Sequence, residues 1–427
     1  MSIIHLMKSL NGAIGWVVTI LYCYQVGYLL LGLVRRKWRD RRPPAVLHPY
    51  AVLISARNEE GVIGELIASL KRQNYPAELL DIYVVADNCT DDTAGASARA
   101  GATAVYRRFN HVEVGKGYAL DYLLKKLAAA GLDERYDGYF VFDADNLVDA
   151  NFVSEMNRTF DRGGLEAITC YRNSKNFGQN WITAGYSIWF LREARFLNAP
   201  RMTLGTNCHI SGTGFLVSAK VIREQGGWPY HLLTEDIQFS AACAAEGRRI
   251  GYCGSAVVYD EQPTTFRQSW DQRMRWSKGF YQVDGRYALP LLLGAFRGGR
   301  RGLGCYDILM TIAPGMLLVV LGGAFNGLIV LACMSAPAFV AGRVLFLTGQ
   351  FLMDWLINFY LGMFLYGLLT VLSEWKSIHA TAGQKLGYLI TFPLFMLTYV
   401  PISVVALFQK VEWKPIRHSS LAQIDAA

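Results

Sequence analysis

Hydrophobic positions fall into two textures along the chain. Near both ends they form long unbroken runs, whereas in the middle they form short runs separated by helical stretches. Residues 11–34, "NGAIGWVVTILYCYQVGYLLLGLV", carry no charge over a length that exceeds the roughly 20 residues needed to span a bilayer core, which predicts a membrane helix. Apolar runs at 306–334, 336–372 and 383–408 repeat the pattern. The second is long enough for one strongly tilted helix or for a hairpin with Asp354 near its turn, and Pro393 and Pro401 can kink or split the third. Four or five crossings are expected.

Between these ends, residues 51–55, 82–86, 139–142, 168–171, 215–218 and 250–253 read as buried strands, and residues 61–72 and 116–130 as helices. Strand and helix alternating at this spacing predict an α/β domain around a mostly parallel sheet. Such sheets bind ligands at the carboxyl ends of their strands.

Composition agrees with a membrane protein carrying a soluble middle: 52% of residues are hydrophobic and 18% charged. Much of the net charge of +8 lies in "RRKWRDRR", residues 35–42, and in "RGGRR", residues 297–301. Basic clusters beside apolar helices fit anionic lipid headgroups. No nucleic-acid motif accompanies the charge, so no nucleic-acid partner is expected. By the positive-inside rule the cluster at 35–42 places the middle domain in the cytoplasm, and a plasma-membrane protein is expected. The eight cysteines show no CxxC pair or regular spacing, which fits a reduced cytosolic domain.

Each early strand runs into a polar cluster. The first meets "SARNEE" (55–60), the second "DNCTDDT" (87–93), and the third Asp143 and Asp145 of "VFDADN". Neighbouring parallel strands end on one edge, so the three clusters are expected to converge. Asn, Thr and Asp also favour turns and helix caps, which is the bland reading of 87–93. Two carboxylates at positions i and i+2 point the same way and repel, and a hard cation with oxygen ligands relieves the repulsion. Residues 232–247, "LLTEDIQFSAACAAEG", read as a helix capped by Thr234 and ended by Gly247, with Glu235 and Asp236 favoured in the first turn by the helix dipole. In "SWDQRMRWSKG" (269–279), helical spacing puts Gln272, Arg275 and Trp276 on one face, the pattern of an interfacial helix. His209 reads as a packed loop histidine.

Taken in order, "SARNEE", "VADNCTDDT", "VFDADN", "SGTGF", "TED" and "QRMRW" resemble the processive family 2 glycosyltransferases, which include synthases of cellulose, chitin, hyaluronan and poly-N-acetylglucosamine. The resemblance covers residues 50–282. It implies a GT-A fold, a Rossmann-like mixed sheet, in a cytoplasmic domain between an N-terminal membrane helix and a C-terminal membrane bundle. It further implies that Ser55, Ala56, Glu59 and Asp87 hold the nucleoside of a UDP-sugar, that Lys116 lies along the diphosphate, and that Asp145, with Asp143, holds Mg²⁺ or Mn²⁺. Asp143 is placed towards the nucleotide. Asp236 is the implied general base of an inverting transfer that forms a β-linkage. Gln272 and Arg275 are implied at the diphosphate. Trp276, Glu235 and the Gly212, Thr213 and Gly214 stretch are implied on the acceptor side, where small residues let a sugar ring approach the backbone. The complete QRMRW motif favours repeated addition to a polysaccharide; a lipid acceptor giving a glycolipid is the alternative.

The expected organisation is a membrane helix and basic linker (1–47), the glycosyltransferase domain (48–265), interfacial helices (266–305), membrane segments (306–410) and a tail (411–427). In the tail, Trp413 and Arg417 fit a family segment that closes over bound donor, although Pro415 and Ile416 depart from its pattern.

Overall fold

The computed structural model describes residues 3–34, 42–313 and 315–411. Trp413 and Arg417 of the expected closing segment, and the basic cluster up to Arg41, lie outside the described residues.

Eight strands form one mixed sheet: β1 (Tyr50–Ala56), β2 (Leu80–Asp87), β3 (Ala104–Arg108), β4 (Gly138–Asp143), β5 (Leu147–Val148), β6 (Ala167–Ser174), β7 (Phe215–Ser218) and β8 (Ile250–Asp260), in the order β3-β2-β1-β4-β7-β6-β8-β5. The short apolar runs become strands buried on both faces, as a sheet covered by helices requires. β1 pairs in parallel with β2 and β4, in a register that sets Ser55 beside Asp143. The sheet is mixed, as the resemblance implies: β7 runs antiparallel to both β4 and β6. Two strands were not anticipated. β3 is short and half-polar, and β5 has two residues.

The helices of this domain are α3 (Ile63–Lys71), α4 (Thr93–Arg99), α5 (Lys116–Ala129), α6 (Phe152–Phe160), α7 (Trp181–Glu193), α8 (Ala199–Leu204), α9 (Ala219–Gln225) and α10 (Glu235–Glu246). Leu120, Leu123, Ile188, Leu191 and Phe239 pack one face of the sheet, and Leu66, Ile67, Phe152 and Met156 pack the other. α7 starts at a capping box, in which Asn180 accepts from the amide of Thr183 and the Thr183 hydroxyl accepts from the amide of Asn180. It runs into a π-helical turn over Ala194–Asn198 before α8, a feature common at functional sites.

An N-terminal pair, α1 (Ile3–Tyr22) and α2 (Tyr24–Val34), precedes the sheet in the chain. After the sheet come α11 (Phe266–Ala295), α12 (Gly299–Ile312), α13 (Gly315–Ala332), α14 (Ala338–Ser373), α15 (Ala382–Leu397) and α16 (Tyr399–Phe408). Among the described residues three helices are long and apolar enough to cross a membrane: Ile3–Tyr22, Ala338–Ser373 and Ala382–Phe408, the last joining α15 and α16. The expected run at 306–334 contributes a further apolar helix beside these three, α13, of 18 residues. The start of that run belongs to α12, which crosses the expected boundary at 305 and buries Asp307 against Arg201 at 2.6 Å. The run from 336 is one helix, and Asp354 lies inside it rather than at a turn. The last run is interrupted at Thr398, whose hydroxyl donates to the Phe395 carbonyl at 2.6 Å; Pro401 falls in the first turn of α16, where its missing amide costs no helical bond.

Candidate active site

β1, β2 and β4 deliver their terminal residues to one cavity of about 690 Å³. Ser55, Glu59, Asp87, Lys116, Asp143 and Asp145 line one end of it. Gly212, Glu235, Asp236, Gln272, Arg275 and Trp276 line its middle. Thus most of the residues singled out in the sequence face a single space, although they come from stretches separated by more than two hundred positions.

Three of them do not face it. Ala56 is buried at the end of β1, and its carbonyl accepts from the Cys89 thiol at 3.5 Å. Thr213 turns back into the domain: its hydroxyl accepts from the Asp143 amide at 2.9 Å and donates to Asn146. Gly214, at φ 66°, packs against the Cys170 sulfur and Val258, where an added Cβ would stand 2.6 and 2.9 Å from them. The expected acceptor contacts of Thr213 and Gly214 are therefore corrected. Thr213 anchors the end of β4, and Gly214 gives the left-handed turn and close approach that only glycine permits. Of this stretch, Ser211 and Gly212 reach the cavity.

The bland reading of the 87–93 cluster also divides. Asp92, not Asp87, caps α4 by accepting from the Gly95 amide at 3.2 Å. Asp87 forms a buried ion pair with Arg108 of β3 at 2.6 Å, the register partner opposite it. That pairing was invisible in the sequence because β3 itself was. Thr234 occupies the N-cap of α10 but makes no capping bond; its hydroxyl oxygen is buried without a partner, and its side chain packs on Gly279 of α11.

Charge in the cavity is balanced by contacts. The Lys116 ammonium donates to Asp143 at 2.6 Å and to the Gly212 carbonyl at 2.7 Å. Burial opposes its charge, but Asp143 and Glu235 outweigh that effect and hold its pKa above the ordinary lysine value. Asp236 accepts from the Gly212 amide at 2.6 Å. Burial raises the pKa of both Asp236 and Glu235; for Glu235 the adjacent Asp236 adds to the effect, and for Asp236 the Ile237 and Gly212 amides and Lys116 oppose it.

Asp145 is buried and accepts from the Glu261 amide at 3.2 Å and the Asn146 side-chain amide at 3.2 Å. Among the described residues no group of three His, Cys, Asp or Glu side chains forms a metal cage. One or two carboxylates opening onto room for a phosphate is instead the arrangement that suits Mg²⁺ or Mn²⁺, which take their remaining ligands from phosphate and water. Asp143 and Asp145 fit that donor set.

Four further residues line the cavity without having been anticipated: Arg172, Asp260, Glu193 and His209 in its new setting. Arg172 at the end of β6 pairs with Asp260 at the end of β8, donates to the Ser211 carbonyl at 3.0 Å, and lies over the Phe190 ring at 3.7 Å. The end of β6 was legible one residue before Arg172, but β8 runs seven residues past the expected 250–253, so the strand end at Asp260 was not. Glu193 ends a helix that is apolar nearly all round, and a charge on such a helix is itself a sign of a buried partner.

Beyond Trp276 the cavity changes character. Its walls become Tyr22 of α1, Trp355, Phe359 and Met363 of α14, and Tyr399 and Val400 of α16. The cleft lies between α14 and α16, and the two halves of the last run pack on different partners. α15 packs on α14 through Phe392 against Gly367, whereas α16 is drawn to α11 by Tyr281 donating to the Ser403 carbonyl at 3.0 Å and Lys278 to the Ala406 carbonyl at 3.1 Å.

Residues 48–279 match the family described as "Glycosyltransferase like family 2". The chain belongs to this family. Among similar proteins, this glycosyltransferase is 26% identical over 54% of its length to the beta-monoglucosyldiacylglycerol synthase of Synechocystis, of which the match covers 47%. It is 23% identical over 88% of its length to the probable glycosyltransferase YdaM of Bacillus subtilis, covering 86% of that protein. It is 25% identical over 54% of its length to the poly-beta-1,6-N-acetyl-D-glucosamine synthase of Staphylococcus aureus, covering 54% of it. The chain thus spans about half the length of two of these three relatives. A mannosyltransferase from Pyrobaculum calidifontis, solved with GDP-Man and Mn²⁺, superposes with a TM-score of 0.59 at 16% identity, over 94% of this chain and 99% of that one. That likeness supports the GT-A-like fold with apolar helices on both sides.

Proposed function

We propose that this glycosyltransferase moves a sugar from a UDP-sugar, with inversion, onto a hydroxyl of a membrane lipid at the cytoplasmic face of the plasma membrane. The carrying observation is the single cavity, whose carboxylate end and apolar cleft are continuous. A volume of about 690 Å³ lies within the roughly 300–1,000 Å³ of pockets that hold one small ligand. It suits a donor and the reacting end of an acceptor better than a conduit for a polymer, and the apolar cleft suits the acceptor's hydrocarbon.

In this reading Asp236 takes the proton from the acceptor hydroxyl as its oxygen attacks the anomeric carbon. The bond to UDP breaks on the opposite side, so an α-linked donor gives a β-linked product. Ser55, Glu59 and Asp87 hold the nucleoside. Lys116, Arg275 and Gln272 face the diphosphate, where cationic groups stabilise the charge that grows on the leaving UDP. Asp145 and Asp143 would hold Mg²⁺ or Mn²⁺, which when bound adds positive charge at that diphosphate. Trp276 offers a flat apolar platform to the acceptor.

Extension of a polysaccharide is the second reading. It is favoured by the complete Gln272, Arg275 and Trp276 motif facing the cavity. The purified protein, in vesicles containing diacylglycerol, would be given UDP-glucose, UDP-galactose or UDP-N-acetylglucosamine with Mn²⁺. Release of UDP with label passing into the lipid extract is expected. Label in a high-mass aqueous glycan would transfer the conclusion to the polymer, and no UDP release from any donor would overturn both.

A further inference from the structure

A run of buried polar groups reaches from the N-terminal helices to the base, and the reaction as described does not use it. Asp307 of α12 is fully buried; it accepts from the hydroxyls of Tyr24 at 3.0 Å and Tyr28 at 2.8 Å, both on α2, and from two guanidinium nitrogens of Arg201 at 2.6 and 2.8 Å. Arg201, also fully buried, places a third nitrogen 2.5 Å from His209 Nδ1. A guanidinium can only donate, so Nδ1 accepts and the ring proton sits on Nε2. That nitrogen lies 3.2 Å from Glu193 and donates to it. Glu193 also accepts from the Ser211 hydroxyl. The next residue, Gly212, sends its amide to Asp236 at 2.6 Å.

Every link has a defined direction, and the chain ends on the carboxylate assigned as the base. Burial works against the charge of Glu193, yet the hydrogen bonds from His209 and Ser211 and the nearby Arg201 charge hold its pKa below the ordinary range, so it is a fixed acceptor. A junction required only for stability is commonly served as well by apolar side chains, since burying ions is costly. We infer that Glu193 and His209 are positioning residues for Asp236, and that Arg201 and Asp307 make their alignment depend on how α2 is seated. Close packing supports that dependence: a Cβ added to Gly32 of α2 would stand 2.5 Å from Phe196 in the π-helical turn after Glu193.

The inference rests on the reading of Asp236 as base, so Asp236→Asn is carried beside the other variants. The full-length protein would be assayed with the better of UDP-glucose and UDP-N-acetylglucosamine, with sites counted by binding of UDP in Mn²⁺. Misplacement of a reacting group by about 1 Å can cost on the order of 100-fold. Glu193→Gln and His209→Ala are therefore expected to lower kcat per UDP-binding site by about 10- to 100-fold, with donor KM moving less than about twofold. His209→Gln, which can still accept from Arg201 and donate to Glu193, should recover most of that loss. Tyr28→Phe, remote from the reacting atoms, should lower kcat a few-fold at constant donor KM. Unchanged kcat per UDP-binding site in Glu193→Gln and His209→Ala, or a His209→Gln variant no better than His209→Ala, would overturn the relay. If Asp236→Asn also keeps full activity, the reading of the base falls instead.

Discussion

The two ends of the cavity are built by different means. At the donor end, Ser55, Asp87 and Asp143 stand at the ends of adjacent parallel strands, so local sequence and strand register bring them together. At the membrane end, Tyr22, Trp355 and Tyr399 come from helices far apart in the chain, and only helix packing makes them neighbours. The donor end is therefore rigid by construction and specific through charge. The membrane end is shaped by apolar packing, which tolerates substitution more readily. Variants should accordingly act on chemistry at one end and on acceptor recognition at the other.

The largest effect is expected at the base. Asp236→Asn should lower transfer by about 10²- to 10⁴-fold, the usual contribution of general base catalysis, while UDP still binds in calorimetry. Removal of divalent cations with EDTA should likewise suppress UDP release, and Mn²⁺ should restore it in the parent but not in Asp145→Asn. Next comes the buried pair beside the nucleoside site. Arg108→Met should lower stability by about 3–5 kcal/mol, because Asp87 is left as an uncompensated buried charge. Adding Asp87→Asn should recover much of that in thermal unfolding while leaving donor KM raised.

A pH profile separates the ends further. Asp236 is buried beside Glu235, Lys116 and His209, and burial holds its pKa above the ordinary range. A base must be unprotonated, so kcat falls as pH drops through that raised value. The acid limb should lie above about 4, where an exposed aspartate would place it. A limb at or below that value would show that the base is solvated, or that another group serves.

Legibility followed the same division. Strand ends announced themselves because an apolar run that closes on paired carboxylates violates a structural expectation, as at Asp143 and Asp145. Partners contributed by unrecognised elements did not. Arg108 sits on β3, whose half-polar pattern hid it, and Glu193 gains its meaning from His209 and Arg201, which only the tertiary fold supplies. The start of the 306–334 run was hidden for a related reason. Its first turns look apolar, yet Asp307 belongs to the domain through Arg201. Hydropathy registers composition and does not register the partner of a buried charge.

The smallest effect expected is at the membrane end, and it tests the comparison most directly. Trp355 is half-buried in the cleft wall. Its truncation to alanine should cost the acceptor about 1–2 kcal/mol of apolar contact, or about 5- to 30-fold in acceptor KM. Donor KM and slow hydrolysis of the donor should be untouched, because nothing at the carboxylate end moves. A lipid held in the cleft by its chains gains about 0.8 kcal/mol per buried methylene, so acceptor KM in the parent should fall as the acyl chains of a diacylglycerol series lengthen. In Trp355→Ala that slope should flatten. A slope of zero in the parent, with Trp355→Ala inert, would mean that the cleft does not hold the acceptor, and that the apolar end of the cavity is a seam between helices with no part in recognition.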